Sequence, residues 1–336
     1  MDKEHRETQP FDLEWENSNC TWCNGHNSEL LFEGPDRLLH LPGTFQVVRC
    51  SNCSLIRQDP RLKWDSLQHY YPDSYPSYYS PSVEATTLIS RMINQYGMWK
   101  RLRAIERYQS SGLLLDVGCG TGDFLDQAHR SAHWNAAGVE PSSRANLIAR
   151  ERLPFPIFHG SLEDYDPDPD TFDVVTLWNV LEHLPHPADD LRHIFQMMKV
   201  GGLLVISIPN LESPGAGLFK TRWLGWDLPR HLYFFPRDLL VDVLHSIGFR
   251  VIDFKCIAGS HAAFGHTLDF WSQDWMGANQ RLRRTMLNIY NSIPFRLLMS
   301  LPFWVLAQLR LSSNITLFAQ KANEYENAGN LSETML

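Results

Sequence analysis

The sequence predicts an α/β chain, a parallel sheet with helices on both faces, preceded by a small metal-binding module of the zinc-ribbon type. Three observations predict it. From Gly112 onward, short apolar runs alternate with segments of helical spacing. The first of these runs empties into a glycine-rich loop, Gly118-Cys-Gly120-Thr-Gly122. Upstream, two Cys-x-x-Cys pairs, Cys20/Cys23 and Cys50/Cys53, are separated by 26 residues. The 336-residue length fits two domains, or one large domain with an appendage. With 43% hydrophobic and 20% charged residues, a disordered, collagenous or coiled-coil chain is excluded.

The cysteine pairs come first in the chain. Each short turn aims two sulfurs at one point, which suits a tetrahedral zinc ion. No βαβ pattern surrounds either pair, so a redox role is disfavoured. Cys20, Cys23, Cys50 and Cys53 are the expected ligands of a structural zinc, with short strands over Ser28–Phe32 and Phe45–Arg49 between them. Next, five of the 11 tyrosines fall between Tyr70 and Tyr79. Prolines make this segment a loop, either a lid over a ligand or an aromatic seam between domains. A helix follows over Glu84–Tyr108, weakened at Gly97.

The strands and helices of the sheet then take turns. Strands are expected at Leu113–Val117, Asn135–Glu140, Pro156–His159, Phe172–Trp178, Leu203–Ile208, Phe249–Ile257 and Asn314–Gln320. Helices run from the glycine loop through Arg130, after Pro141-Ser-Ser, over Ala188–Met198, and over Pro236–Ser246 before Gly248. The expected organisation is a zinc-binding module (1–60), a tyrosine-rich linker and helix (61–108), a catalytic domain (109–323) with a basic and apolar insertion at about 261–313, and a tail (324–336).

The loop Asp116-Val-Gly118-Cys-Gly120-Thr-Gly122-Asp123 lets backbone approach a ligand closely and presents helix amino-terminal amides. A dinucleotide fingerprint needs a third glycine where Asp123 stands, so that fingerprint fails. An acid two residues before the first glycine suits a ligand bearing a cationic amino-acid group. Glu140 closes the second strand, where a carboxylate can accept both hydroxyls of a ribose.

On these residues the chain resembles the class I S-adenosylmethionine-dependent methyltransferases. LLLDVGCGTGDF looks like the family's first motif, and GVEPS like the segment with its ribose-binding acid. GSLEDY resembles the adenine-contacting segment, FDVVTLWNVLEHLPHP the motif lining the transfer chamber, and GGLLVISIPN the usual fifth strand. The resemblance implies a Rossmann-like, seven-stranded methyltransferase sheet and S-adenosylmethionine as cofactor. It implies cofactor contacts from Asp116, Gly118, Gly120, Gly122, Glu140, Leu162, Glu163 and Asn179. The upstream zinc module and YYPxxY-like linker are similar to those of a subset acting on sugars, natural products or lipid-linked intermediates. Asn179 begins Asn-Val-Leu-Glu, which departs from the Asn-Pro-Pro-aromatic signature of enzymes that methylate base or glutamine amides.

Methyl transfer to a hydroxyl or carbon acid needs a base. His183 after the fourth strand and His231 in Pro-Arg-His-Leu-Tyr are the candidates, with Glu182 placed to orient either one. Each could instead hold its own loop by hydrogen bonds. His186 reads as a loop residue, and Cys119 and Cys256 as packing residues. From Trp275 to Asn323 the chain carries six basic residues, Arg281, Arg283, Arg284, Arg296, Arg310 and Lys321, and no acid. Apolar and aromatic residues are interleaved with them. Such a stretch fits peripheral contact with anionic lipid through 281–310, a roof over the acceptor, or a dimer face.

The amino end, MDKEHRETQP, has no apolar core and is not read as a secretory signal. The apolar stretch Leu297–Leu309 is too short to span a bilayer. A cytoplasmic protein, peripheral at the membrane if the basic stretch meets lipid, is therefore expected. The leading function is a methyltransferase for a small-molecule, sugar or lipid-linked acceptor. An RNA methyltransferase gripping its substrate through the zinc module is a second reading. Residues 1–60 carry ten acids and five Lys and Arg, the wrong sign for binding phosphates. A non-catalytic zinc and α/β scaffold is a third, and the intact Asp116, Gly118, Gly120 and Glu140 count against it.

Overall fold

The computed structural model describes residues 13–72, 75, 88–257, 260–277 and 279–322. The first residues of the chain, most of the tyrosine-rich loop with Tyr78 and Tyr79, the expected helix start at Glu84, and the 324–336 tail lie outside these.

The amino-terminal module opens with β1 (Trp15–Glu16), β2 (Ser28–Gly34), β3 (Phe45–Cys50), β4 (Ile56–Gln58) and β5 (Arg61–Leu62), then a single helical turn, α1 (Trp64–Leu67). Helix α2 (Leu88–Ile105) leads into β6 (Gly112–Val117), α3 (Asp123–Arg130), β7 (Trp134–Glu140), α4 (Ser143–Arg152) and β8 (Ile157–His159). Then come β9 (Phe172–Trp178), α5 (Pro187–Met197), β10 (Met198–Pro209), α6 (Pro214–Phe219), β11 (Tyr233–Phe234), α7 (Arg237–Ile247) and β12 (Phe249–Lys255). Three helices, α8 (Ser260–Met276), α9 (Gln280–Asn291) and α10 (Ile293–Gln308), precede the last strand, β13 (Asn314–Lys321).

The main sheet has seven strands in the order β12-β13-β10-β9-β6-β7-β8, the seven-stranded, Rossmann-like sheet that the resemblance implies. Its side chains alternate between two cores. Leu114, Val174, Leu203 and Val205 enter one, while Leu115, Val175, Leu204 and Ile206 enter the other. That two-residue period, apolar on both sides, marks a sheet covered by helices on each face.

One strand runs against the expected parallel direction: β13 is antiparallel to both β10 and β12. The reason lies in where the chain re-enters. β13 begins at Asn314 opposite Pro209, at the carboxyl end of β10. Helices α8–α10 therefore leave and rejoin the sheet at its carboxyl edge, and the strand can only run back down. The insertion expected at 261–313 is thus placed over the crevice where ligands bind in open α/β sheets.

The cysteine module does not stand apart. Strand β11, from the catalytic half, pairs with β4 and completes a four-stranded sheet, β11-β4-β3-β2. Gln58 Nε2 donates to the carbonyls of Pro229 and His231 at 2.8 and 2.6 Å. Phe45, Val47, Cys20 and Cys50 share a continuous apolar core with Leu177, Ile206 and Tyr233. Residues 13–70 are therefore built into the same body as the catalytic half.

Candidate active site and cysteine knuckles

The two knuckles are copies of one turn. Cys20 N–H donates to the Gly25 carbonyl and Asn24 N–H to the Cys20 carbonyl; Cys50 N–H bonds Leu55 and Ser54 N–H bonds Cys50 in the same way. Asn24 and Ser54 both take left-handed φ, 55° and 63°, which folds each turn back on its own cysteine. Cys20 Sγ lies 3.5 Å from Cys53 Sγ, and Cys23 Sγ 3.5 Å from Cys50 Sγ. A zinc ion with sulfurs at about 2.3 Å holds its ligands about 3.8 Å apart. The four thiols, all within 4.8 Å of one another, therefore fit a structural zinc, and the expected ligand set is brought together whole.

At the carboxyl edge of the main sheet, the loop between β6 and α3 carries left-handed φ at Gly118 (63°) and Gly120 (56°). A Cβ on Gly118 would meet Val180 Cγ2 at 2.6 Å, so a side chain there is excluded twice over. Glu140 is buried and pins this loop. Its two carboxylate oxygens accept the N–H groups of Gly120 and Ser142, each at 2.8 Å. Burial nonetheless raises its pKa, with those two bonds opposing.

Asp116 lies behind the loop, 3% exposed, and accepts a 2.6 Å hydrogen bond from Thr176 Oγ1. Burial pushes its pKa to about 7; the Thr176 bond and the Arg101 guanidinium oppose that, and Glu140 adds to it. Arg101 also stacks on Trp178 at 4.7 Å. A glycine cradle over two buried carboxylates suits a ligand with a ribose and a cationic group, so the residues present fit S-adenosylmethionine.

Beyond the loop, a cavity of about 400 Å³ joins Gly118, Gly120 and Glu140 to Asn179, His183 and His231. Asn179 follows β9 with φ of 59°, a conformation Asn tolerates better than most residues. Its amide accepts from Asn314 at 2.9 Å and donates to Glu182 Oε1 at 3.2 Å. The rings of His183 and His231 meet edge to face with centroids 4.5 Å apart.

Each imidazole is fixed by a backbone carbonyl. His183 Nδ1 lies 2.9 Å from the Arg230 oxygen, and His231 Nδ1 lies 2.8 Å from the Gly225 oxygen. A carbonyl only accepts, so both Nδ1 atoms carry hydrogen and both Nε2 atoms keep their lone pairs. Burial, with His231 adding to it, takes the His183 pKa down to about 3. Burial lowers that of His231 as well. Both rings are therefore neutral at pH 7.

A buried ion network holds these loops. Arg230, with no exposed surface, donates to both oxygens of Asp36 at 3.0 and 2.7 Å and to Asp227 at 2.7 Å. The Tyr71 hydroxyl oxygen lies 3.0 Å from His183 Nδ1, where it shares that N–H, and its own O–H donates to the Arg230 carbonyl at 3.4 Å. Asp36 and Tyr71 belong to the amino-terminal part, Asp227 and Arg230 to the segment after β10. Of the expected residues, Gly118, Gly120, Glu140, Asn179, His183 and His231 line the cavity, while Asp116 and Glu182 are buried beside it. Gly122 caps α3, Leu162 is buried in the core, and Glu163 is exposed; none of these three lines the cavity. Thr176, Asp36, Asp227, Arg230 and Asn314 were given no role from the sequence. The only signal was the run Asp227-Leu-Pro-Arg230-His231, whose ion pair has Asp36 as a partner 194 residues away.

Comparison with known proteins accords with this geometry. Residues 92–253 match the family model described as a methyltransferase domain. Over 110 residues the chain is 37% identical to the ubiquinone biosynthesis O-methyltransferase of Aeromonas salmonicida, covering 31% of this chain and 46% of that one. Over 101 residues it is 34% identical to the mitochondrial ubiquinone biosynthesis O-methyltransferase of Schizosaccharomyces pombe, covering 28% and 36%. The chain thus spans about half the length, or less, of these relatives. Among solved structures, an S-adenosylmethionine-dependent methyltransferase from Archaeoglobus fulgidus superimposes with a TM-score of 0.45 at 17% identity, over 67% of this chain and 94% of that one.

Proposed function

We propose that this chain, whose residues 92–253 match the model of a methyltransferase domain, is a class I S-adenosylmethionine-dependent methyltransferase that transfers methyl to a hydroxyl of a small-molecule or lipid-linked acceptor. The observation that carries the reading is the cavity running from the glycine loop and Glu140 to the paired histidines. S-adenosylmethionine, when bound, supplies an electrophilic methyl on its sulfonium sulfur. Gly118 and Gly120 would take the amino-acid portion, Glu140 the ribose hydroxyls, and Asp116 the nearby positive charge. The acceptor enters beside Asn179, His183 and His231, where His231 Nε2 takes the hydroxyl proton as the oxygen becomes a nucleophile. His183, with Glu182 behind it, holds the partner ring and is the second candidate for that task. The relatives' O-methyltransferase names support oxygen as the acceptor atom.

Two further assignments belong to this reading. The four cysteines hold one structural zinc whose task is to support the Asp36 and Tyr71 side of the site. Helix α8 places Ala263 and His266 on the cavity wall, and α10 exposes Leu297, Leu298, Leu301 and Trp304 at 60–69%. With arginines nearby and no acid from Trp275 to Asn323, that helix is suited to rest on anionic lipid and admit a lipid-linked acceptor. No helix among the described residues is long and apolar enough to cross a membrane.

The test is direct. The purified chain should bind S-adenosylmethionine in a calorimeter, and Asp116→Ala should weaken that binding. With an isotopically labelled methyl donor, it should label an alkali-stable methyl ether in an extract of small molecules and lipids. Label found only in RNA, or no cofactor binding at all, would overturn the proposal.

A further inference from the structure

Glu182, His183 and His231 bring one carboxylate oxygen and two ring nitrogens within 4.8 Å of one another. Glu182 is 1% exposed. Its Oε1 accepts from Asn179, whereas its Oε2 is buried with no hydrogen-bond partner. An orphaned carboxylate oxygen in such surroundings costs free energy unless something positive or proton-bearing meets it. Arg230 is committed to Asp36 and Asp227, and no salt bridge reaches Glu182 among the described residues.

We propose that Glu182, His183 and His231 hold a first-row divalent cation at the acceptor end of the cavity. Two imidazoles and one carboxylate form a donor set that suits Mn²⁺, Fe²⁺ or Zn²⁺ and leaves coordination positions open. The groups behind the ligands agree with this. A metal-binding histidine donates its other ring N–H to a carbonyl or carboxylate, and a ligating carboxylate is itself hydrogen-bonded. Here the Arg230 and Gly225 carbonyls receive the two Nδ1 hydrogens, and the Asn179 amide donates to the second Glu182 oxygen. The Nε2 lone pairs are left for a cation. The site is also reachable, since both histidines line the cavity.

This deepens the reading above and rests on it: the cation would seat and polarise the acceptor oxygen opposite the cofactor end. The histidines then serve as ligands rather than as a bare base, and the acceptor's hydroxyl proton, made more acidic by the cation, leaves to solvent in the cavity instead of to His231 Nε2. Loss of turnover in His231→Ala follows on either account, so metal binding itself must be measured.

The probe is Mn²⁺, a hard ion that does not compete for the thiolates of the cysteine knuckles. Titration of the zinc-loaded, full-length chain is followed by the paramagnetic resonance signal of free Mn²⁺. One Mn²⁺ should bind per chain. Glu182→Gln and His231→Asn should each weaken it by more than about tenfold, the scale set by losing even an indirect metal contact. S-adenosylmethionine binding, measured on the same samples, should persist and so report an intact fold. Absence of bound Mn²⁺, or equal affinity in parent and both variants, overturns the cation site. A chelated parent that still binds cofactor and transfers methyl at full rate, with no Mn²⁺ bound, overturns it while leaving the methyltransferase reading standing. A parent unable to bind S-adenosylmethionine would instead strike that reading itself.

Discussion

The two ends of the cavity are built in opposite ways. The cofactor end is local: Asp116, Gly118, Gly120 and Glu140 come from one β-α-β stretch, and Glu140 ties the loop down through a bond to Gly120. The acceptor end is assembled from afar. His183 depends on a carbonyl from Arg230, whose guanidinium is held by Asp36. Among the described residues, no ion pair reaches the buried carboxylates of the local end, although the Arg101 guanidinium acts on Asp116 from further off. The distant end pairs its one arginine, Arg230, with Asp36 and Asp227 and leaves two neutral imidazoles and the orphaned Glu182 oxygen at the acceptor end.

Two substitutions test whether these ends can be separated. The largest effect is expected at the acceptor end. His231→Ala should lower turnover by about 10²–10⁴-fold, the usual range for losing a proton acceptor in the transition state, with cofactor affinity nearly unchanged. Glu140→Ala should do the reverse. Losing two hydrogen bonds to a charged acceptor, at about 1.5–3 kcal/mol each, weakens S-adenosylmethionine by at least tenfold in calorimetry. If the first variant loses cofactor affinity as well, the two ends are one unit and the contrast fails.

Legibility in the sequence follows the same division. The β6 run, its glycines and Glu140 lie within 29 residues, Gly112 to Glu140, and announce strand, loop and ligand together. The knuckles were readable for the same reason, since each is a four-residue turn. Arg230 and Asp36 were not: their pairing spans 194 positions and depends on β11 joining the cysteine module's sheet. The reversed direction of β13 was hidden as well. It follows from where α8–α10 leave and rejoin the sheet, and strand direction leaves no mark in an apolar run.

The zinc module offers a smaller and more selective perturbation. One equivalent of zinc should co-purify, and Cys50→Ser should release it, as elemental analysis would show. Because Asp36 bonds Arg230 and Tyr71 bonds His183, turnover should fall several-fold further than cofactor affinity. Equal losses in both would mean that the module supports the entire sheet.

The smallest expected effect is the most diagnostic, because its sign differs between the ends. Asp116 has its pKa pushed from the ordinary carboxylate value of 3.8 to about 7, chiefly by burial. Between those values the folded chain holds a proton that the unfolded chain has released, so stability falls as pH rises through that window. Asp227 is the opposite case. Burial would raise it, but the Arg230 guanidinium outweighs burial and holds it below 3.8. Its contribution is present above the unfolded value and is lost as pH falls through the folded one. In the cofactor-free protein, Asp116→Asn should therefore gain thermal stability relative to the parent as pH rises from 4 to 7. Asp227→Asn should be less stable than the parent by a nearly constant margin across that range. Taking each variant as a difference from the parent at the same pH cancels protonation of the cysteines and surface groups. If the two difference curves ran parallel, the cofactor end would carry no uncompensated charge, and a cationic ligand would gain nothing from Asp116.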